Sequence, residues 1–130
     1  MRGPRIVRTG IPPALGEEVP MTDPIVQSAI NHLLGCHRRC AHQIRESLDR
    51  GGEHATAHHI DTLRDCADLC RLTGDLLDRG SEWAARQCEL TARVCTDTAE
   101  RCDRLGETAC ATVARSTAAA CLALTETVAG

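Results

Sequence analysis

The sequence predicts an all-α fold, an antiparallel up-down-up-down four-helix bundle, and three observations carry that prediction. All five prolines fall within the first 24 residues. Beyond them, breaks at Gly51-Gly52, Gly80-Ser81 and Gly106 divide the chain into four stretches of similar length. Within those stretches cysteines recur at steps of four, seven and eleven residues. On a helix of about 3.6 residues per turn each of these steps returns to one face. Strands would need a sustained period-two alternation, and none is visible.

The elements follow in order. Residues 1–21 read as a flexible leader, rich in Pro and Gly and without apolar period, and Met21 is an alternative start. The bundle domain spans 22–130. Thr22-Asp23-Pro24 opens the first helix, with side-chain oxygens to cap and Pro in the first turn. The breaks set the helices at roughly 23–50, 53–79, 81–105 and 107–129. At about 1.5 Å per residue these are rods of about 35–42 Å, and short connections make neighbours antiparallel. Gly80 suits the position just past a helix end, and Ser81 the next N-cap. Gly35 and Gly74, inside helices, mark expected close approaches between them.

Composition narrows the function. Trp83 is the only aromatic residue and is expected to pack the bundle end, so Leu, Ala, Val and Ile fill the core. A net charge of −3 without a basic run gives no electrostatic case for nucleic acid. No stretch of about 20 apolar residues suggests a membrane span, and the basic N-terminus lacks a signal peptide's apolar core. A cytoplasmic location follows, where thiols stay reduced. The odd count of nine cysteines also argues against a closed disulfide framework. Gly-rich phosphate loops, nucleophile motifs and the Glu-x-x-His pattern of di-iron bundles are missing, so the expectation is a binding protein rather than an enzyme.

The thiols carry the chemistry. Cys36/Cys40 and Cys66/Cys70 are CxxxC pairs, with Cβ atoms roughly 5–6 Å apart on a helix. Cys88, Cys95 and Cys102 are spaced by about 10.5 Å of rise, so their partners must come from other helices. Counting outward from the turns gathers Cys36, Cys40, Cys66, Cys70, Cys88, Cys95 and Cys121 into a central cluster. Cys102 and Cys110 form a separate pair across the Gly106 turn, at the bundle mouth. His59 extends the Cys66 stripe and His32 the Cys36 stripe. His54 and His58 fall near the Cys102/Cys110 end as ligands for incoming ions, and His37 and His42 read as solvated. Thiolates select Cu(I), Zn(II) or iron–sulfur clusters. The usual knuckle spacing of structural zinc and the usual iron–sulfur spacings are absent. Pairs repeated along a bundle axis suit Cu(I), which accepts few ligands and bridging thiolates. An iron–sulfur or zinc site on the same scaffold stays open, as does a non-metal interaction module whose cysteines merely pack as small hydrophobes.

Two segments resemble a known family: Arg64-Asp65-Cys66-Ala67-Asp68-Leu69-Cys70, and Cys88-Glu89-Leu90-Thr91-Ala92-Arg93-Val94-Cys95 continuing to Cys102. Over roughly residues 30–129 the chain is similar to the cytosolic four-helix-bundle, cysteine-rich copper storage proteins. The resemblance implies a cysteine-lined tube that stores Cu(I) as thiolate complexes, in a homo-oligomer, usually a tetramer. The chain departs from the pattern in having about half the family's thiols. Ala29, Leu33, Thr91, Thr98 and Thr125 stand at lining positions that are Cys in relatives, and His59 also falls where relatives tend to have Cys. A smaller Cu(I) store or buffer is the expectation.

Overall fold

The computed structural model describes residues 23–129, with side chains through Thr125. The expected leader over 1–21, Met21 as a start and the Thr22 cap lie outside the described residues. Four helices make the fold: α1 (Pro24–Arg50), α2 (Ala57–Asp78), α3 (Ala84–Arg104) and α4 (Thr108–Ala129). No strand occurs among the described residues. Consecutive helices pack on each other, and α4 closes the ring against α1. The result is the expected four-helix bundle, with one interior running along its axis.

Local chemistry sets the boundaries. Asp23 caps α1, its carboxylate accepting the Ile25 N–H at 2.8 Å, with Pro24 in the first turn. A short 3₁₀ turn, Gly52–Ala55, follows Gly51 and was not expected from sequence. It delays α2 until Ala57, where the Thr56 hydroxyl accepts the His59 N–H at 3.2 Å. At the end of α2, Gly80 takes a left-handed φ of 64°. Its N–H bonds Leu77 O, and the Ser81 N–H bonds Leu76 O at 2.9 Å, which closes the helix by the glycine-dependent double bond of a Schellman motif.

Three expectations are corrected here. Ser81 does not cap α3 directly, because its hydroxyl accepts the Trp83 N–H within an extra turn and the helix begins at Ala84. Trp83 rides on that turn and is 60% exposed, so it does not pack the bundle end; buried Ala84 and Leu77 lie at that end of the core instead. Gly35 is not a close approach, since a Cβ there would meet nothing within 4 Å. Gly74 is one: a Cβ would come within 3.3 Å of Leu34 Cδ2.

The buried positions form one stripe per helix. On α1 the stripe runs Val26, Ala29, Ile30, Leu33, Cys36, Cys40, Gln43, Ser47. On α3 it is Ala84, Cys88, Thr91, Cys95, Thr98, Cys102 with Ala92 and Ala99. Steps of three and four keep these side chains on the axis. Residues as small as Cys, Ala and Thr fill most of the interior, which is why a chain with one aromatic residue closes a core at all.

Candidate metal centre

All nine cysteines are reduced and buried. Cys36 of α1, Cys66 and Cys70 of α2 and Cys95 of α3 converge so that their Sγ atoms all lie within 4.8 Å of one another. Cys70 and Cys95 are 3.6 Å apart, and Cys66 and Cys95 are 3.8 Å apart. Bonds of about 2.3 Å to a tetrahedral ion need sulfurs about 3.8 Å apart, so these thiols need to move little to hold one. No ligand in this group comes from α4, whose stripe carries the buried alanines Ala111 and Ala114 after Cys110.

Further thiols extend the group in a file. Cys40 lies 4.0 Å from Cys36 and 3.8 Å from Cys110, and Cys110 in turn contacts Cys102. The sequence had set Cys102 and Cys110 apart as a pair at the mouth. Cys40 instead joins them to the central group, because α1 and α4 are direct neighbours. Cys88 and Cys121 contact each other and stand outside the group of four.

Shared S–H contacts polarise the file. The Cys40 thiol holds Cys36 down to about 5, and the Cys102 thiol holds Cys110 down to about 4. Cys66 is lowered too, chiefly by Cys36. The partners move the other way: Cys110 raises Cys40, Cys36 raises Cys70 and Cys95, Cys110 raises Cys102, and Cys88 raises Cys121. Cys36, Cys66 and Cys110 are thus the sulfurs that most readily become thiolate, while Cys40, Cys70, Cys95 and Cys102 keep their protons. A cation entering the file therefore meets nucleophilic sulfur at the outset, and drives off the remaining protons as it binds.

The end of the file near the Gly106 turn is polar. Gly106, at a φ of 74°, lets the Glu107 N–H bond Cys102 O at 2.8 Å, which turns the Glu107 side chain into the bundle. Its carboxylate is fully buried and accepts from Ser47 Oγ, His54 Nδ1 and His59 Nε2, each at 2.8 Å. Burial pushes the Glu107 carboxyl up, but the hydrogen bonds from His54, Ser47 and His59 outweigh it, and the net direction is down. His59, Cys102 and Glu107 offer ligand atoms within 4.8 Å of one another. Sequence reasoning found His54, His59 and Cys102 but missed Glu107. A signal existed: on α1 the thiol stripe Cys36, Cys40 continues as buried Gln43 and Ser47, so this end of the axis had to be polar.

The other histidines face outward. His58, expected at the mouth, accepts instead from the Arg101 guanidinium at 2.8 Å, exposed on the rim of a groove between α2 and α3. His32 bonds Ser28 O on the surface and does not extend the Cys36 stripe. His42 pairs with Glu46 in solvent. His37, expected to be solvated, is half-buried, its Nδ1 2.8 Å from Ala67 O on the neighbouring α2.

Toward the Gly80 end the lining keeps only the Cys88/Cys121 pair, among aliphatic and hydroxyl side chains. Ala29, Leu33, Thr91 and Thr125 are buried there, and Thr98 is buried nearer the other end, between Cys95 and Cys102. Thr91 exchanges a 2.8 Å hydrogen bond with Thr73, whereas the buried Thr98 hydroxyl has no partner. The description of one family, the copper storage proteins, matches the sequence over residues 23–126. The chain belongs to the copper storage protein family. A crystal structure of a protein from Nitrosospira multiformis is similar, with a TM-score of 0.78 and 27% identity, covering 82% of this chain and 99% of that one. No curated protein sequence matches. The connected thiol file of this copper storage family member runs through the middle and one end of the axis. No helix among the described residues is long and apolar enough to cross a membrane.

Proposed function

We propose that this copper storage family member holds Cu(I) as cargo in thiolate clusters along the bundle axis, as a low-capacity store or buffer in the cytosol. The observation that carries the reading is the connected file of buried thiols: Cys36, Cys66, Cys70 and Cys95, extended through Cys40 to Cys110. Soft sulfur selects a soft ion. Bridging contacts from one thiol to the next suit an ion that accepts two or three ligands and shares them with a neighbour. Cys102 and the His59 imidazole would receive ions at the mouth, and Cys88 with Cys121 would form a small separate site. Reduced thiols fit a cytosolic setting, and the family resemblance makes a homotetramer the expected assembly.

A second reading has its own observation. The four thiols of the central group already approach the edges of a tetrahedron, the geometry of a single Zn(II). An iron–sulfur cluster in the same group would be recognised by iron and acid-labile sulfide. Anaerobic titration of the reduced protein with Cu(I) against a strong competing chelator separates these readings. Tight uptake of several Cu(I) per chain is expected. A protein that cannot win one Cu(I) from the chelator, or is isolated with one zinc that Cu(I) does not displace, overturns the copper reading.

A further inference from the structure

The thiol file does not end in thiols. It ends in a carboxylate, two imidazoles and one sulfur, and this donor set differs in kind from the rest. Cu(I) has no use for Glu107, because a carboxylate is a ligand for harder, divalent ions. Yet Glu107 is the most deeply committed acid in the bundle: fully buried, turned inward by the Gly106 turn, and bound by Ser47, His54 and His59. A second observation points to a ligand. His59 is 1% exposed and gives Nε2 to Glu107, while its Nδ1 is buried with no hydrogen-bond partner. Donation from Nε2–H leaves Nδ1 as a bare lone pair in the neutral ring. The ring can pass its proton to that nitrogen and so free Nε2 as a ligand beside Cys102 and Glu107, which with His59 offer ligand atoms within 4.8 Å of one another.

We infer that His59, Glu107 and Cys102, whose ligand atoms already converge, form a site for one divalent borderline cation of the Zn(II) class, with His54 drawn in through its contact with Glu107 as the fourth ligand, and that the site is separate in metal preference from the thiolate file. Two nitrogens, one oxygen and one sulfur are ligands that such an ion accepts together in a tetrahedron. Bonds of about 2.0–2.1 Å to nitrogen and oxygen need those atoms about 3.3 Å apart. The present 2.8 Å imidazole–carboxylate contacts open by about half an ångström when a cation enters between them and each ring proton passes to the other nitrogen of its imidazole. The Cys102 thiol loses its proton as the ion binds, which leaves a site with two negative ligands for a doubly charged ion. Because the site lies between the surface turn and the first thiols, a divalent ion bound there holds the Cys102 and His59 groups that receive Cu(I) in its absence. The inference stands independently of Cu(I) storage in the central group.

Co(II) is the probe, since its visible spectrum reports tetrahedral coordination and its sulfur charge-transfer band reports the number of thiolates. The reduced full-length protein is titrated anaerobically beside Cys66→Ser/Cys70→Ser, Glu107→Gln and His54→Gln. The Cys66→Ser/Cys70→Ser variant is expected to retain one tetrahedral Co(II) with a one-thiolate band, displaced by one equivalent of Zn(II). Glu107→Gln and His54→Gln are expected to weaken that binding at least about tenfold. His54 is partly exposed and outside the core, so its variant tests the site even if Glu107→Gln impairs folding, with helicity by circular dichroism as the control. A Co(II) spectrum of four thiolates only, lost in the Cys66/Cys70 variant, overturns the inference. Equal affinity in the wild-type and His54→Gln proteins overturns it as well. Neither result bears on Cu(I) uptake, whose failure would sink the storage reading alone.

Discussion

Thr98 stands on the same face of α3 as Cys95 and Cys102, three residues after one and four before the other. Its buried hydroxyl lacks a partner, an arrangement that costs about 1–3 kcal/mol. Thr98→Cys fills the gap between the two thiols with a third of similar size. It should raise the Cu(I) plateau in a chelator-competed titration and stabilise the metal-free protein by about 1 kcal/mol in urea. An unchanged plateau would mean that position 98 lies off the path of the ions. Ser47 is the converse case, a small side chain whose removal is costly. Ser47→Ala takes one of three hydrogen bonds from a buried carboxylate and should cost about 1–3 kcal/mol in the same assay. A loss within error would show that water replaces the hydroxyl.

The helices were legible because their breaks are chemical. Gly80 and Gly106 both take left-handed backbone, and the turns they make were placed correctly from sequence. The sequence misplaced the starts of α2 and α3 because a 3₁₀ turn and a Ser81 turn look like helix in composition and differ only in which carbonyl each N–H finds. Gly106→Ala should destabilise the bundle by about 1–2 kcal/mol, since an L side chain is strained at this φ. It should also displace Glu107, whose N–H is held by Cys102 O. Gly35→Ala should do the opposite and stabilise by about 0.5–1 kcal/mol, because open space surrounds that position. Thermal or urea unfolding of the two variants, measured together, checks both signs.

At the scale of the molecule the bundle is polarised along its axis. Thiols occupy the middle, a carboxylate with two imidazoles closes one end, and aliphatic and hydroxyl side chains fill much of the other. Because sulfurs on three helices converge on one point, an ion bound there ties those helices together. Cu(I) bound only by the folded state should therefore raise stability, by about 2.7 kcal/mol at a free concentration 100-fold above its dissociation constant. The check is the unfolding midpoint of loaded and stripped protein, with proton release followed in weakly buffered solution. Equal midpoints would place the metal on the surface.

The sequence by itself determined the helices, the faces they bury and the thiols that share those faces, because spacing along one helix is fixed by its pitch. Register between helices is not written in any one of them. Only the tertiary structure decided that Cys40 meets Cys110, that Cys88 and Cys121 stand outside the central group, and that His58 turns to Arg101 while His54 turns inward. Glu107 is the clearest instance. It lies in a turn with no period to place it, and what makes it functional is three partners from α1, the 3₁₀ turn and α2. Those partners lie 48 to 60 residues away along the chain, and only packing brings them within 2.8 Å.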